Sequence, residues 1–170
     1  MAEILSIHSD HLKRRHIQRA VDVLREGGVI VYPTDTIYGL GCDITNQNAV
    51  ERVQRIKGRD KKKPMSFVCA DLTHISNYAR VSNYAHRILK RCLPGAYTFV
   101  LPATVQTPRV LQTEQKTVGL RIPDHSVPLA LIETLGQPIL STSANFSAQE
   151  VITEPWQLQN ELGSHVDLII

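Results

Sequence analysis

The sequence predicts an α/β fold in a single domain with a mixed sheet, and three observations carry that expectation. Stretches with helical spacing alternate with short β-branched runs, the pattern of strands and helices packed in layers. The 170 residues hold no internal repeat, low-complexity stretch or dividing linker, which suits one ordinary domain. The connections are uneven, and Pro94-Gly95 and Pro123 break the rhythm. Parallel and antiparallel neighbours are therefore expected together, not a clean doubly wound sheet.

In chain order, Ile17, Ala20, Val21 and Leu24 recur at helical intervals, with Ser9 or Asp10 as N-cap and Gly27 as stop. Val29 to Tyr32 is a short strand closed by Pro33. Ala49, Val50, Val53 and Ile56 mark a second helix ending at Lys57-Gly58. Met65 to Cys69 reads as a buried strand. A third helix covers Ser82 to Leu93, stopped by Pro94-Gly95, and Tyr97 to Leu101 is the next strand. Val118 to Ile122 is another, ended by Pro123. Leu129 to Leu135 is helical with Gly136 as its C-terminal signal, and Ile139 to Ser143 is a strand running into a polar loop. Pro155 to Leu162 is a short helix, and Val166 to Ile170 a final apolar strand.

A hydrophobic fraction of 42% and a charged fraction of 21% belong to the soluble globular class. No apolar run approaches the roughly 18 residues of a membrane span. Met1 to Asp10 has no apolar signal-peptide core, so a cytoplasmic protein with no membrane partner is expected. The three cysteines are widely spaced with no CxxC. Cys69 and Cys92 are expected as buried thiols, and Cys42 as structural. Seven histidines in no ligand spacing give no reason to expect a protein-bound metal. The net charge of +3, from 19 basic and 16 acidic residues, says little about partners. Local clusters say more. Lys13, Arg14, Arg15 and Arg19 read as a solvated helix face, whereas Lys57, Arg59, Lys61, Lys62 and Lys63 form a denser run broken by Asp60.

Four polar segments adjoin strands, where ligand sites of open α/β sheets lie. Pro33-Thr34-Asp35-Thr36-Ile37-Tyr38-Gly39-Leu40-Gly41 mixes hydroxyls, a carboxylate and glycines. It reads either as a ligand loop or as a turn capped by Thr34 and Asp35. Lys57-Gly58-Arg59 aims two cations at one anion if its backbone is extended, or is a basic helix end favoured by the macrodipole. It is no P-loop, since GxxxxGK[ST] is absent. Arg121, inside the apolar strand segment Val118-Gly119-Leu120-Arg121-Ile122, must meet a ligand, an acid such as Asp124, or solvent at an edge. Ser141-Thr142-Ser143-Ala144-Asn145 offers hydroxyls and amides to phosphate oxygens, or forms an ST-rich turn. Without GxSxG, Ser143 is not read as a nucleophile.

These segments together, with Pro-Gly-Ala-Tyr-Thr at 94–98 and Gly-Leu-Arg-Ile-Pro at 119–123, resemble the YrdC family. That family comprises the threonylcarbamoyl-AMP synthases and a YciO-like branch. No single segment is specific; their joint order, from about Gly27 to Ile170, is. The resemblance implies a twisted α/β fold around a large basic cavity. It implies a reaction of L-threonine, bicarbonate and ATP, with Mg2+ bound through ATP, giving threonylcarbamoyl-adenylate and pyrophosphate. A downstream threonylcarbamoyl transferase would use the adenylate to form N6-threonylcarbamoyladenosine in tRNA.

By the same resemblance Lys57, Arg59, Ser143 and Asn145 are the catalytic tetrad, which with Thr117 and Ser141 also holds the nucleotide. Thr34, Thr36, Tyr38 and Arg121 would take threonine, Arg121 gripping its carboxylate. The sequence departs from the synthase pattern at Asp60, at Val68 and at Pro94 to Thr98, the last closer to the YciO-like branch. Relatives continue beyond the position of Ile170 with a Gly-rich turn and a Pro-Ser-Thr strand, so a shortened C-terminal edge is implied. The alternative is a YciO-like protein that binds double-stranded RNA or tRNA with no or different nucleotide chemistry. Lys57 and Arg59, read as part of a basic surface loop, are each expected to cost turnover far more than folding when replaced by Ala.

Overall fold

The computed structural model describes residues 1–58, 65–146 and 150–170. In chain order its elements are β1 (Glu3–Ile4), α1 (Arg14–Arg25), β2 (Ile30–Tyr32), β3 (Gly39–Asp43), α2 (Gln47–Lys57), β4 (Ser66–Val68), α3 (Leu72–Tyr78) and α4 (Asn83–Cys92). They continue with β5 (Phe99–Pro102), β6 (Thr117–Arg121), α5 (Ser126–Leu135), β7 (Ile139–Ser143), α6 (Pro155–Leu162) and β8 (Leu168–Ile169). The eight strands make one sheet in the order β1-β8-β2-β3-β7-β4-β6-β5. It is mixed, as expected. β8 runs parallel to both β1 and β2, and β4 parallel to β6, while β3, β5 and β7 pair antiparallel to their neighbours.

The helices follow their signals except at the starts of α1 and α5 and at α3, for which the sequence held no expectation. Asn46 and Ser82 cap α2 and α4 by accepting the amides of Ala49 and Ala85. Gly58 and Gly136 close α2 and α5 in the left-handed conformation. The start of α1 is different: its N-cap is Lys13, which makes no side-chain cap bond, and neither Ser9 nor Asp10 reaches the helix. The basic residues beside it form the expected solvated face, where Arg19 pairs with Glu3 at 2.7 Å.

Each face of the sheet is fixed by register. Cys42, Leu140, Phe67, Leu120 and Phe99 lie directly opposite one another across β3, β7, β4, β6 and β5. This apolar row packs into the larger core beneath α2, α3, α4 and α6. One residue along, the row is Gly41, Ser141, Ser66 and Gly119. Successive strand residues point to opposite faces, so this row faces the other way. There α1 and α5 cover only part of the sheet, packing on Ile30, Tyr32, Val68 and Ile139. The rest of that face is left with hydroxyls and bare backbone.

Candidate functional site

The uncovered face is the floor of a cavity of about 120 Å³. That is well below the roughly 300–1,000 Å³ of pockets for drug-sized ligands, so it suits a small polar metabolite. Its floor is Gly39, Ser66, Ser141 and Ser143, and its walls include Thr34, Thr36, Tyr38, Thr98 and Arg121. The structure thus brings six sequence-predicted residues into one hollow: Thr34, Thr36, Tyr38, Arg121, Ser141 and Ser143. Thr117 shares the strand face of Arg121 but does not line the hollow. It lies at the other end of β6 with its hydroxyl 2.7 Å from that of Thr113.

The Thr34–Tyr38 segment is both of the things the sequence left open. Thr34 Oγ1 donates to the Ile37 carbonyl at 2.6 Å and accepts the amides of Thr36 and Ile37, which makes a hydroxyl-capped turn. That turn delivers Asp35 and Thr36 to Arg121. Nη2 of Arg121 donates to Asp35 Oδ1 at 2.6 Å, both Nη atoms reach Thr36 Oγ1 at 3.1 Å, and Nε donates to the Gly95 carbonyl at 3.1 Å. The acid that meets Arg121 is therefore Asp35, on the cavity loop, and not its chain neighbour Asp124. Both charged side chains are largely enclosed, at 17% and 15% exposure. The Tyr38 carbonyl accepts the Ala144 amide at 2.9 Å, which ties this loop to the segment after β7.

Lys57 is the correction of most consequence. It ends α2 and is 1% exposed, so it belongs to the interior and not to a surface loop. Its Nζ donates to the Ser143 carbonyl at 2.8 Å, to Ser143 Oγ at 3.2 Å, to Asn145 Oδ1 at 2.8 Å and to the Asn145 carbonyl. Ser143 Oγ in turn donates to Asn145 Oδ1 at 2.7 Å. A buried ammonium is tolerable only when so surrounded by acceptors. Lys57, Ser143 and Asn145 are thus brought together at the mouth of β7. The backbone at Gly58 is left-handed, with φ of 56°, and not extended, which makes Lys57-Gly58 a helix end, one of the two readings the sequence left open. Arg59, with Asp60 and Lys61 to Lys63, lies outside the described residues.

Four residues of the site went unread in the sequence: Tyr32, Asp35 as a partner, Ser66 and Thr98. Tyr32 reaches over β3, where a Cβ on Gly39 or on Gly41 would come within 2.9 Å of its ring. Its hydroxyl donates to Ser141 Oγ at 2.6 Å, and burial raises its pKa. Ser66 donates to the Ser141 carbonyl at 3.2 Å. The signal that could have found them is parity: Ser66 and Gly119 fall on the strand face opposite Phe67 and Leu120. Burial also raises the thiol pKa values of Cys42 and Cys69, which makes them poor nucleophiles. Among the described residues no group of three or more His, Cys, Asp or Glu is placed to hold a metal, and no helix is long and apolar enough to cross a membrane.

A mixed α/β sheet, half-covered by helices and with an arginine and hydroxyls around its bare patch, defines a single-domain α/β protein with a pocket for a small polar ligand. The Sua5/yciO/yrdC family model, described as telomere recombination, matches residues 22–170. The chain belongs to the Sua5/YciO/YrdC family. It is 42% identical to the uncharacterized protein YciO of Escherichia coli K12 over all of this chain and 84% of that one, and the crystal structure of E. coli YciO superposes with a TM-score of 0.95. A threonylcarbamoyl-AMP synthase of Vibrio vulnificus is 34% identical over 91% of this chain and 85% of its own. The structure of P. abyssi Sua5 complexed with L-threonine superposes with a TM-score of 0.93 at 31% identity, covering 99% of this chain and 50% of Sua5.

Proposed function

We propose that this protein is a threonylcarbamoyl-AMP synthase, which joins L-threonine, bicarbonate and ATP into threonylcarbamoyl-adenylate, pyrophosphate and water. The observation that carries the reading is the shared floor. Arg121 and the Thr34–Tyr38 loop wall it, and Ser143 on the floor accepts from Lys57 and donates to Asn145. The amine of threonine adds to bicarbonate with loss of water, and an oxygen of the resulting carbamate attacks the α-phosphate, expelling pyrophosphate. Arg121 and Thr34 hold the amino acid so that its amine meets bicarbonate. Ser141, Ser143 and Asn145 orient phosphate oxygens, with Thr117 further along β6. Lys57, with Arg59, opposes the negative charge that grows on the transferring group. Magnesium, carried on the nucleotide, supplies further charge neutralisation when bound. The adenylate would then serve tRNA modification through a separate transferase.

A second reading rests on the likeness to YciO, which exceeds that to the synthase in identity. In it the same hollow serves a protein that binds tRNA or double-stranded RNA with no or different nucleotide chemistry. Incubation with ATP, magnesium, bicarbonate and labelled threonine separates the two. The synthase reading expects threonine-dependent pyrophosphate and a labile labelled adenylate. Absence of both, with retained tRNA binding, would leave the second reading standing alone.

A further inference from the structure

Between Asp71 and Glu114 the chain has no Asp or Glu, yet it has Arg80, Arg87, Lys90, Arg91 and Arg109. A net charge of +3 for the whole chain therefore hides one strongly basic segment. That segment forms α3, α4 and β5, the strand at one end of the sheet. Leu89, at 1% exposure, and Leu93 hold α4 to the core, while Tyr84, Arg87, Lys90 and Arg91 are exposed. Tyr84, Arg87 and Arg91 recur at intervals of three and four, so they line one stripe of the helix, with Lys90 beside it. Among the described residues none of these three cations meets a carboxylate, whereas Arg19 on α1 pairs with Glu3 and Arg52 on α2 with Asp167.

Cations suit the C-terminal end of a helix. That preference does not account for Tyr84, 69% exposed at the start of α4, or for Tyr97, 64% exposed just beyond its end. Unpaired cations attract phosphates, and exposed rings that flank them stack on bases. The stripe also leads to the cavity. Gly95, between α4 and Tyr97, donates its amide to the Ile122 carbonyl at 2.8 Å and accepts from Arg121 Nε at 3.1 Å, and Thr98 walls the hollow.

We propose that the outer face of α4, together with Tyr97, is a docking surface for RNA with unpaired bases. Arg87, Lys90 and Arg91 take phosphates, and Tyr84 and Tyr97 stack on bases. This rests on the reading of RNA as a partner, and it places the RNA on α4, outside the hollow.

Fluorescence anisotropy with a labelled single-stranded oligoribonucleotide, and with the duplex formed from it, tests the surface. Circular dichroism checks that each variant is folded. The triple variant Arg87→Gln, Lys90→Gln, Arg91→Gln should bind the single strand at least tenfold more weakly. It should also flatten the slope of log affinity against log salt by about 2, the loss of three phosphate contacts. Tyr84→Ala and Tyr97→Ala should each weaken binding roughly tenfold at an unchanged salt slope. The matched triple variant on α1, Lys13→Gln, Arg14→Gln, Arg15→Gln, removes the same charge and should bind as wild type does. Equal losses from the two triple variants would overturn the proposal, since charge alone would then set affinity. So would tighter binding of the duplex than of the single strand, or tyrosine variants that bind normally. Wild-type protein that binds neither RNA removes the RNA reading and the proposal together, whereas RNA binding untouched by the α4 variants removes the proposal alone.

Discussion

Two charged residues carry opposite lessons. Arg121 has five N–H donors, and Asp35, Thr36 and Gly95 already take four bonds from them. A ligand carboxylate that grips both edges of the guanidinium has to take the place of Asp35. Asp35→Asn, isosteric and uncharged, should therefore lower the Kd for L-threonine several-fold, whereas Arg121→Gln should raise it steeply. An unchanged or higher Kd in the Asn variant would show that Asp35 stays in place when ligand binds. Lys57 is the reverse case, a cation whose partners are structural as well as functional. Lys57→Met keeps the stem but strands the carbonyls of Ser143 and Asn145. It should cost about 2–4 kcal/mol of stability in urea unfolding, in addition to any loss of turnover. Both residues stood out in the sequence, as did Ser143 and Asn145 beside Lys57; the pairing of Arg121 with Asp35 did not. Asp35 is 86 positions from Arg121, and no local spacing announces such a pair.

Among elements, those with strong local signals were legible and those made by tertiary context were not. α2, α4 and β7 follow from apolar spacing, caps and β-branched runs. β3 does not, because Gly39 and Gly41 weaken strand propensity. Its glycines are there to leave room for the Tyr32 ring, a reason visible only once β2 and β3 are paired. α3 is short enough that its apolar stripe is a single buried residue, Ile75. α5 begins earlier than its pattern suggests, at Ser126, because His125 serves as N-cap and accepts the Val127 amide at 3.3 Å. Burial is the main cause that lowers the His125 pKa, with Asp35 and Asp124 acting in the opposite direction. A depressed folded-state value makes the neutral ring the stabilising form. That contribution is complete above the ordinary histidine pKa of about 6.5 and fades as the pH falls through the lower folded value. His125→Asn, a cap that does not titrate, should flatten the mildly acidic limb of a stability-against-pH curve. A limb of unchanged slope would assign it to another group.

For the whole molecule, the sheet has one sealed face and one half-open face, and thiol chemistry can map them. Cys42 and Cys69 are buried on or near the sealed core with raised pKa values, and Cys92 at the end of α4 is only half-buried, contrary to the expectation of a closed thiol. A maleimide at pH 7.5 should label Cys92 first in the native protein and all three cysteines after denaturation. Early labelling of Cys42 would mean that the register of β3 differs from that described. The fold class and the mixed sheet were readable in the sequence because helix and strand signals alternate unevenly along it. The division of labour between the faces was not, since it depends on how five strands from across the chain align.

β8 lies between β1 and β2, so a strand near residue 168 fills a slot whose walls were made in the first 32 residues. A ribosome extending this chain holds that slot open until β8 has been made. Until Leu168 and Ile169 clear the exit tunnel, β2 keeps one unpaired edge and β1 has no neighbour at all. The facing edges of β1 and β2 thus stay open to wrong strand partners until β8, far along the chain, is in place.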